Sequence, residues 1–257
     1  MSRKSEKSIP PFMKLLVVVA VGIVIGGVIL TVKKPGGDGP AADEHNILAN
    51  PGFEEGAGPW TWLDWSKGWS PFEISSNRAR TGSSSALLSV RSEGDARSTI
   101  VWGVVQEVPV REHPIDCLEG YYYVDGWQRG ARNQYLQAVV IDLSHKTDKG
   151  NAQVRYLLSG MDTPPYNLGN ARYEFVDPEK KVVPVKGEWV RFTMDPAGDF
   201  QKHWGYTPPA GNNLRVLFEA RFDSRQPEDK TARTDVYYDD LYLGNATSKR
   251  CGDRKKP

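Results

Sequence analysis

The stretch NLRVLFEARFDS near the C-terminus alternates strictly. Val216, Phe218, Ala220 and Phe222 fall on one side, and Arg215, Glu219, Arg221 and Asp223 on the other. A period of two is the signature of a strand with one buried face. EWVRFTM repeats it, with Val190, Phe192 and Met194 opposed to Trp189, Arg191 and Thr193. From Asn46 onward no convincing helical period competes with it. Short β-rich runs separated by turn residues cover 46–53, 70–75, 85–91, 99–110, 120–127, 135–143, 154–158, 189–195, 214–223 and 235–243. Ten short strands with no internal repeat predict one antiparallel β-sandwich over residues 46–248. The segment 147–185 is less regular and reads as one or two strands plus an elaborated loop.

Ahead of the strands, residues 15–32 (LLVVVAVGIVIGGVILTV) hold neither charge nor proline. As a helix they span about 27 Å, close to the hydrocarbon thickness of a bilayer. They read as an uncleaved transmembrane signal anchor, with a cleaved secretory signal as the alternative. Residues 1–14 form a basic N-terminus, and 33–45 a Pro/Gly-rich tether. The excess of positive charge before the span puts the N-terminus in the cytoplasm and the main domain outside, periplasmic or at the cell surface. Gly22 and Gly26 have the G-x-x-x-G spacing that permits close helix approach, so a homodimer stays open.

The formal net charge of +1 conceals a segregation. The first 34 residues carry +5 and the basic tail 249–257 carries +4, which leaves the body at −8. An acidic body excludes nucleic acid as its partner, because phosphate contacts need clustered Lys and Arg. Two cysteines, Cys117 and Cys251, would allow one disulfide in an oxidising compartment; two unpaired buried thiols are the alternative. No nucleophile motif stands out, the four histidines lack metal-ligand spacing, and nothing selects a carboxylate pair. The chain is therefore not expected to be an enzyme.

Several motifs occur in an order that resembles the CenC-like carbohydrate-binding modules. They are NILANPGFEEG from Asn46, RTGSSSALLSV from Arg80, VVQEVPV from Val104, EGYYYVDGWQRG from Glu119, GEWVRFTM from Gly187 and DVYYDDLYLG from Asp235. The resemblance spans roughly residues 46–244 and implies a galactose-binding-like jelly roll that recognises a polysaccharide. It also implies a structural calcium held by Glu54, by Asp239 or Asp240, and by carbonyls of the turn at Gly82 and Ser83. Oxygen-only ligands suit that ion. If Leu241 and Leu243 face the core, alternation puts Asp239 on their side.

Aromatic residues supply the candidate binding surface. Trp60, Trp62, Trp65 and Trp69 crowd one glycine- and proline-rich stretch. The resemblance makes Trp60 a core residue, and a loop cannot bury four indoles, so two or three buried and one or two exposed are expected. In YYYVDGW, Tyr122, Val124 and Gly126 should face the core, leaving Tyr121, Tyr123, Asp125 and Trp127 together on the other face. With Gln137, Glu219 and Arg221 from other strands beside them, this face would offer flat rings to sugar C–H groups and planar polar groups to hydroxyls. The alternatives are a face covered by the 147–185 segment, or an envelope scaffold or adhesion protein in which the same face meets another protein.

Overall fold

A computed structural model describes residues 43–252, apart from 94, 96, 112–113, 131–132, 178, 180–181, 226–230 and 248. The expected membrane span and most of the tether and basic tail lie outside the described residues. No helix among the described residues is long and apolar enough to cross a membrane.

The strands are β1 (Trp69–Ser70), β2 (Glu73–Ser75), β3 (Ser85–Arg91), β4 (Ile100–Pro109), β5 (Cys117–Gln128), β6 (Asn133–Thr147), β7 (Gly150–Ser159), β8 (Ala171–Phe175), β9 (Trp189–Met194), β10 (Asn213–Asp223) and β11 (Arg233–Gly244). They form a six-stranded sheet ordered β1-β4-β10-β6-β7-β8 and a five-stranded sheet ordered β2-β3-β11-β5-β9. Every pairing is antiparallel except β1 with β4 and β7 with β8. Between the sheets lies one large core, to which β10 contributes Val216, Phe218, Ala220 and Phe222, and β5 contributes Tyr122 and Val124. These are the apolar sides of the alternations read from the sequence.

Three expectations are corrected. Residues 46–53 do not form a strand. Asn46 pins this segment to β11 instead: its amide donates to the Leu241 carbonyl, and its Oδ1 accepts from the N–H groups of Leu48 and Leu243. Asn50 and Phe53 then take positive φ angles (47° and 60°) that turn the chain, and the Phe53 ring is fully buried. The run 70–75 splits, because β1 pairs with β4 in one sheet and β2 with β3 in the other.

The third correction is a helix, α1 (Pro196–Trp204). Asp195 caps its N-terminus by accepting from the Gly198 N–H, and Gly205 ends it at φ 74°. Nine residues, beginning with proline and containing glycine, are too few to impose a visible period. The tail is fastened by a disulfide between Cys117 and Cys251 (S–S 2.05 Å).

Candidate functional site

The polar and aromatic residues picked from the sequence do not share a face. Tyr121 and Tyr123 stand on the outer face of the five-stranded sheet, because Tyr122 between them and Val124 after them are core. Gln137, Glu219 and Arg221 stand on the outer face of the six-stranded sheet, their neighbours Leu136, Ala138, Phe218 and Ala220 being core. The whole thickness of the sandwich separates the two groups.

Trp127 departs from its expected side. A register shift in the β5–β11 pairing leaves Asp125 as an extra residue, so Gly126 pairs with Asp235 and Trp127 with the buried Thr234. That bulge reverses the alternation, and the indole packs against the main core. Tyr121 and Tyr123 remain half-buried. The Arg80 guanidinium lies 3.5 Å from the Tyr121 ring centroid and that of Arg78 lies 5.5 Å from Tyr123. Tyr123 also meets Trp189 and Tyr237, at centroid distances of 5.5 and 6.2 Å. The 147–185 segment supplies β7 and β8 to the other sheet.

On the six-stranded sheet, Gln137 (0% exposed) and Glu219 (2%) are buried too deeply to touch a ligand as expected. The Gln137 amide donates to Glu219, whose carboxylate also pairs with Arg221. Arg221 reaches on to Asp223, which accepts from the Tyr135 hydroxyl. Burial opposes the charge on Arg221, but Tyr135, Glu219 and Asp223 outweigh it and hold the guanidinium charged. These residues form a supporting network beneath the face.

What the face presents comes from residues that its strands and two loops bring together. Thr61 pairs with Val105 at the sheet edge, through bonds of 2.9 and 2.8 Å. The chain from 61 to 70 then folds back along β4, laying Trp62, Leu63 and Trp69 on Val101, Val105, Val139 and Leu217. Trp69 sits over Gly103, where a Cβ atom would come within 2.7 Å of the indole. Trp65 projects from this loop, 70% exposed, with the Arg215 guanidinium 5.9 Å from its ring centroid.

At the far end, Tyr173 and Phe175 of β8 pack with Tyr135, Leu157 and Met161. Tyr166 meets Tyr173 edge-on at 6.2 Å, beside an open depression of about 680 Å³. Between the two ends, Arg155 donates to Gln153 (2.8 Å) and to the Tyr166 hydroxyl (3.3 Å). Six strands at about 4.8 Å spacing make the face roughly 24 Å wide. The four clustered tryptophans therefore divide. Trp60 plugs the core, its N–H donating to the Asn50 carbonyl at 2.9 Å; Trp69 is buried on the outer face, Trp62 is partly buried and Trp65 is free.

The residues proposed for calcium meet around the turn 78–84. Glu54 accepts from the N–H groups of Ser83 and Ser84 and from the Ser83 hydroxyl. Asp240 pairs with Arg80 and accepts from the Thr81 hydroxyl. Asp239 accepts from the N–H groups of Arg80, Thr81 and Asp240, but no cation faces it among the described residues. Burial, and then the charge of Asp240, push Asp239 up to about 7. Calcium at Asp239 would draw on the oxygens of Glu54, Asp240 and the turn, which suit that ion in type. The three carboxylates do not converge on one point, however. The group among the described residues that does so, within 4.8 Å, is Cys117, Glu119 and Cys251, whose thiols are joined. Asp239 is also not on the Leu241 side by alternation, because Asp240, at φ 52°, interrupts the strand.

No protein-family model and no curated protein matches this chain. Among solved structures, it is similar to the enzymatically active domain of bacteriophage CBA120 tailspike protein 4, with 13% identity and a TM-score of 0.41. That likeness covers 78% of this chain and 21% of the tailspike chain. A second is the N-terminal CBM22-1–CBM22-2 tandem domain of Paenibacillus barcinonensis Xyn10C, with 15% identity, a TM-score of 0.44, and coverage of 83% and 52%. A third is CBM28, a carbohydrate-binding module specific for non-crystalline cellulose, with 12% identity, a TM-score of 0.41, and coverage of 78% and 96%. This chain thus spans about a fifth of the first and about half of the second.

Proposed function

We propose that this chain is a membrane-anchored, extracytoplasmic, non-catalytic carbohydrate-binding protein that holds an envelope or extracellular polysaccharide across the outer face of its six-stranded sheet. The observation that carries this reading is the composition of that face. An exposed indole, Trp65, stands at one end and Tyr166 and Tyr173 at the other, with the planar groups of Arg215, Glu107 and Arg155 on the strands between. Such a surface stacks sugar rings at its ends and offers both donors and acceptors to hydroxyls along the way.

Anchoring rests on the apolar run 15–32, and the extracytoplasmic side on the charge bias around it. A closed disulfide is in keeping with an oxidising compartment. Calcium at Asp239, with Glu54 and the Gly82 turn beside it, would neutralise a buried carboxylate and tie three segments together.

The test is a polysaccharide array probed with residues 38–257, the larger of the chain's two compact units, as wild type and as Trp65→Ala. Binding to one polysaccharide class is expected, weakened at least about tenfold by Trp65→Ala, as for an interface hot spot. The exposure of Trp65 leaves the fold intact, so melting should be unchanged. Equal binding by wild type, Trp65→Ala and Tyr173→Ala would remove the assigned face. Silence of folded protein would turn the reading to a protein partner.

A further inference from the structure

Where β3 of one sheet approaches β1 and β4 of the other, the edge of the sandwich opens into a cleft of about 410 Å³. Trp102 of β4 forms its aromatic wall. Ser70 of β1, Ser89 and Arg91 of β3, and Glu93, Asp95 and Arg97 from the chain joining β3 to β4 line the rest. None of these belongs to the outer-face set, and the volume lies in the lower part of the range usual for small-molecule sites.

The lining is ordered in advance by bonds made within the protein. Arg97 donates to both carboxylate oxygens of Asp95, to the Ser70 hydroxyl and to the Trp69 carbonyl. Arg91 donates to Asp235 and to the carbonyls of Val90 and Thr234, and Ser89 donates to the same Asp235. Arg225, almost wholly buried, gathers the carbonyls of Ser92, Asp95 and Arg97 and so ties these three residues together. Trp102 is half-buried and packs on the main core, which immobilises its ring. A ligand entering here would have few side chains left to order.

Charge decides what that ligand is. Two guanidinium groups face two carboxylates, so the cleft carries no net charge and favours neither an anion nor a cation. It does offer donors from Arg91 and Arg97 and an acceptor from Glu93, around one flat apolar wall. Glu93 is exposed and has no partner among the described residues, so its two oxygens are available to neighbouring hydroxyls. The chemical class that presents a flat C–H face, a rim of hydroxyls and no charge is a neutral sugar.

We propose that this cleft is a second carbohydrate site, which takes one or two neutral sugar rings end-on, with Trp102 as the stacking wall and Glu93 as the hydroxyl acceptor. It stands whether or not the outer face of the six-stranded sheet binds polysaccharide.

The experiment is saturation-transfer NMR on the full chain in a sugar-free detergent, with maltose, cellobiose, xylobiose and lactose as probes. Transfer to at least one disaccharide is expected, and the part that comes from the cleft should persist in Trp65→Ala. Glu93→Ala, at an exposed position that leaves folding untouched, should weaken it at least tenfold, and Trp102→Phe should shift it off the ring protons. No transfer to any of the four would overturn the proposal. So would transfer that survives both Glu93→Ala and Trp102→Phe unchanged. Transfer lost in Trp65→Ala alone would assign the signal to the outer face and overturn the cleft.

Discussion

At the residue scale, the outer face depends on one position without a side chain. Gly103 pairs with Glu219 and lies under the Trp69 indole. Ala at 103 would place its Cβ 2.7 Å from that ring and 3.1 Å from the Phe218 carbonyl. Trp69 would have to lift, taking the 61–70 loop with it. Gly103→Ala is expected to cost about 1–3 kcal/mol, the usual range for overpacking, measured as a lower midpoint in urea. It should also weaken polysaccharide binding; an unchanged midpoint would mean that the loop is not seated through Trp69. The crowding of four tryptophans was legible in the sequence, and so was their division between buried and exposed. Which ring stays free was not, because Trp65 is distinguished from Trp62 and Trp69 only by what β4 and β10 place beneath them. The same holds for Gln137 and Glu219, whose polar character suggested contact with a ligand. Their strands bury them as a support for Arg221.

At the element scale, strand positions were mostly readable and strand interruptions were not. The run 85–91 matches β3, and most others fall within a few residues of the strands observed. Where a side chain faces the wrong way, the error comes from a single residue. The extra residue Asp125 turns Trp127 inward, and Asp240 breaks the alternation of β11. A bulge is created by the pairing partner, so one strand's sequence shows no sign of it. The turn 78–84 makes the prediction that belongs here, since it joins Glu54 of the first loop to Asp239 of the last strand. If calcium sits at Asp239, saturating it should raise the melting temperature by roughly 5–10 °C over the chelated protein. Asp239→Asn should erase the increment. Identical scanning calorimetry with calcium and with a chelator would strip the ion from the turn.

At the scale of the whole molecule, the disulfide joins the start of β5 to a tail 134 residues further on. In the chain-entropy model a loop of that length stabilises by about 4–5 kcal/mol. Reduction by a dithiol, or Cys251→Ser, is therefore expected to lower the melting temperature by roughly 10 °C. Little change would mean that the buried Glu119 holds the tail alone, through Arg250 and the Cys251 N–H. The sequence by itself determined that the body is built of strands, since alternation is a local property of neighbouring side chains. It also determined which side of most strands is apolar. Only the tertiary structure decided which strands share a sheet, and so which polar faces meet. Sheets are assembled by pairing between distant segments, and an alternating strand fits either sheet equally well. For that reason Tyr123 and Arg221 looked like neighbours in the sequence and stand on opposite sides of the sandwich.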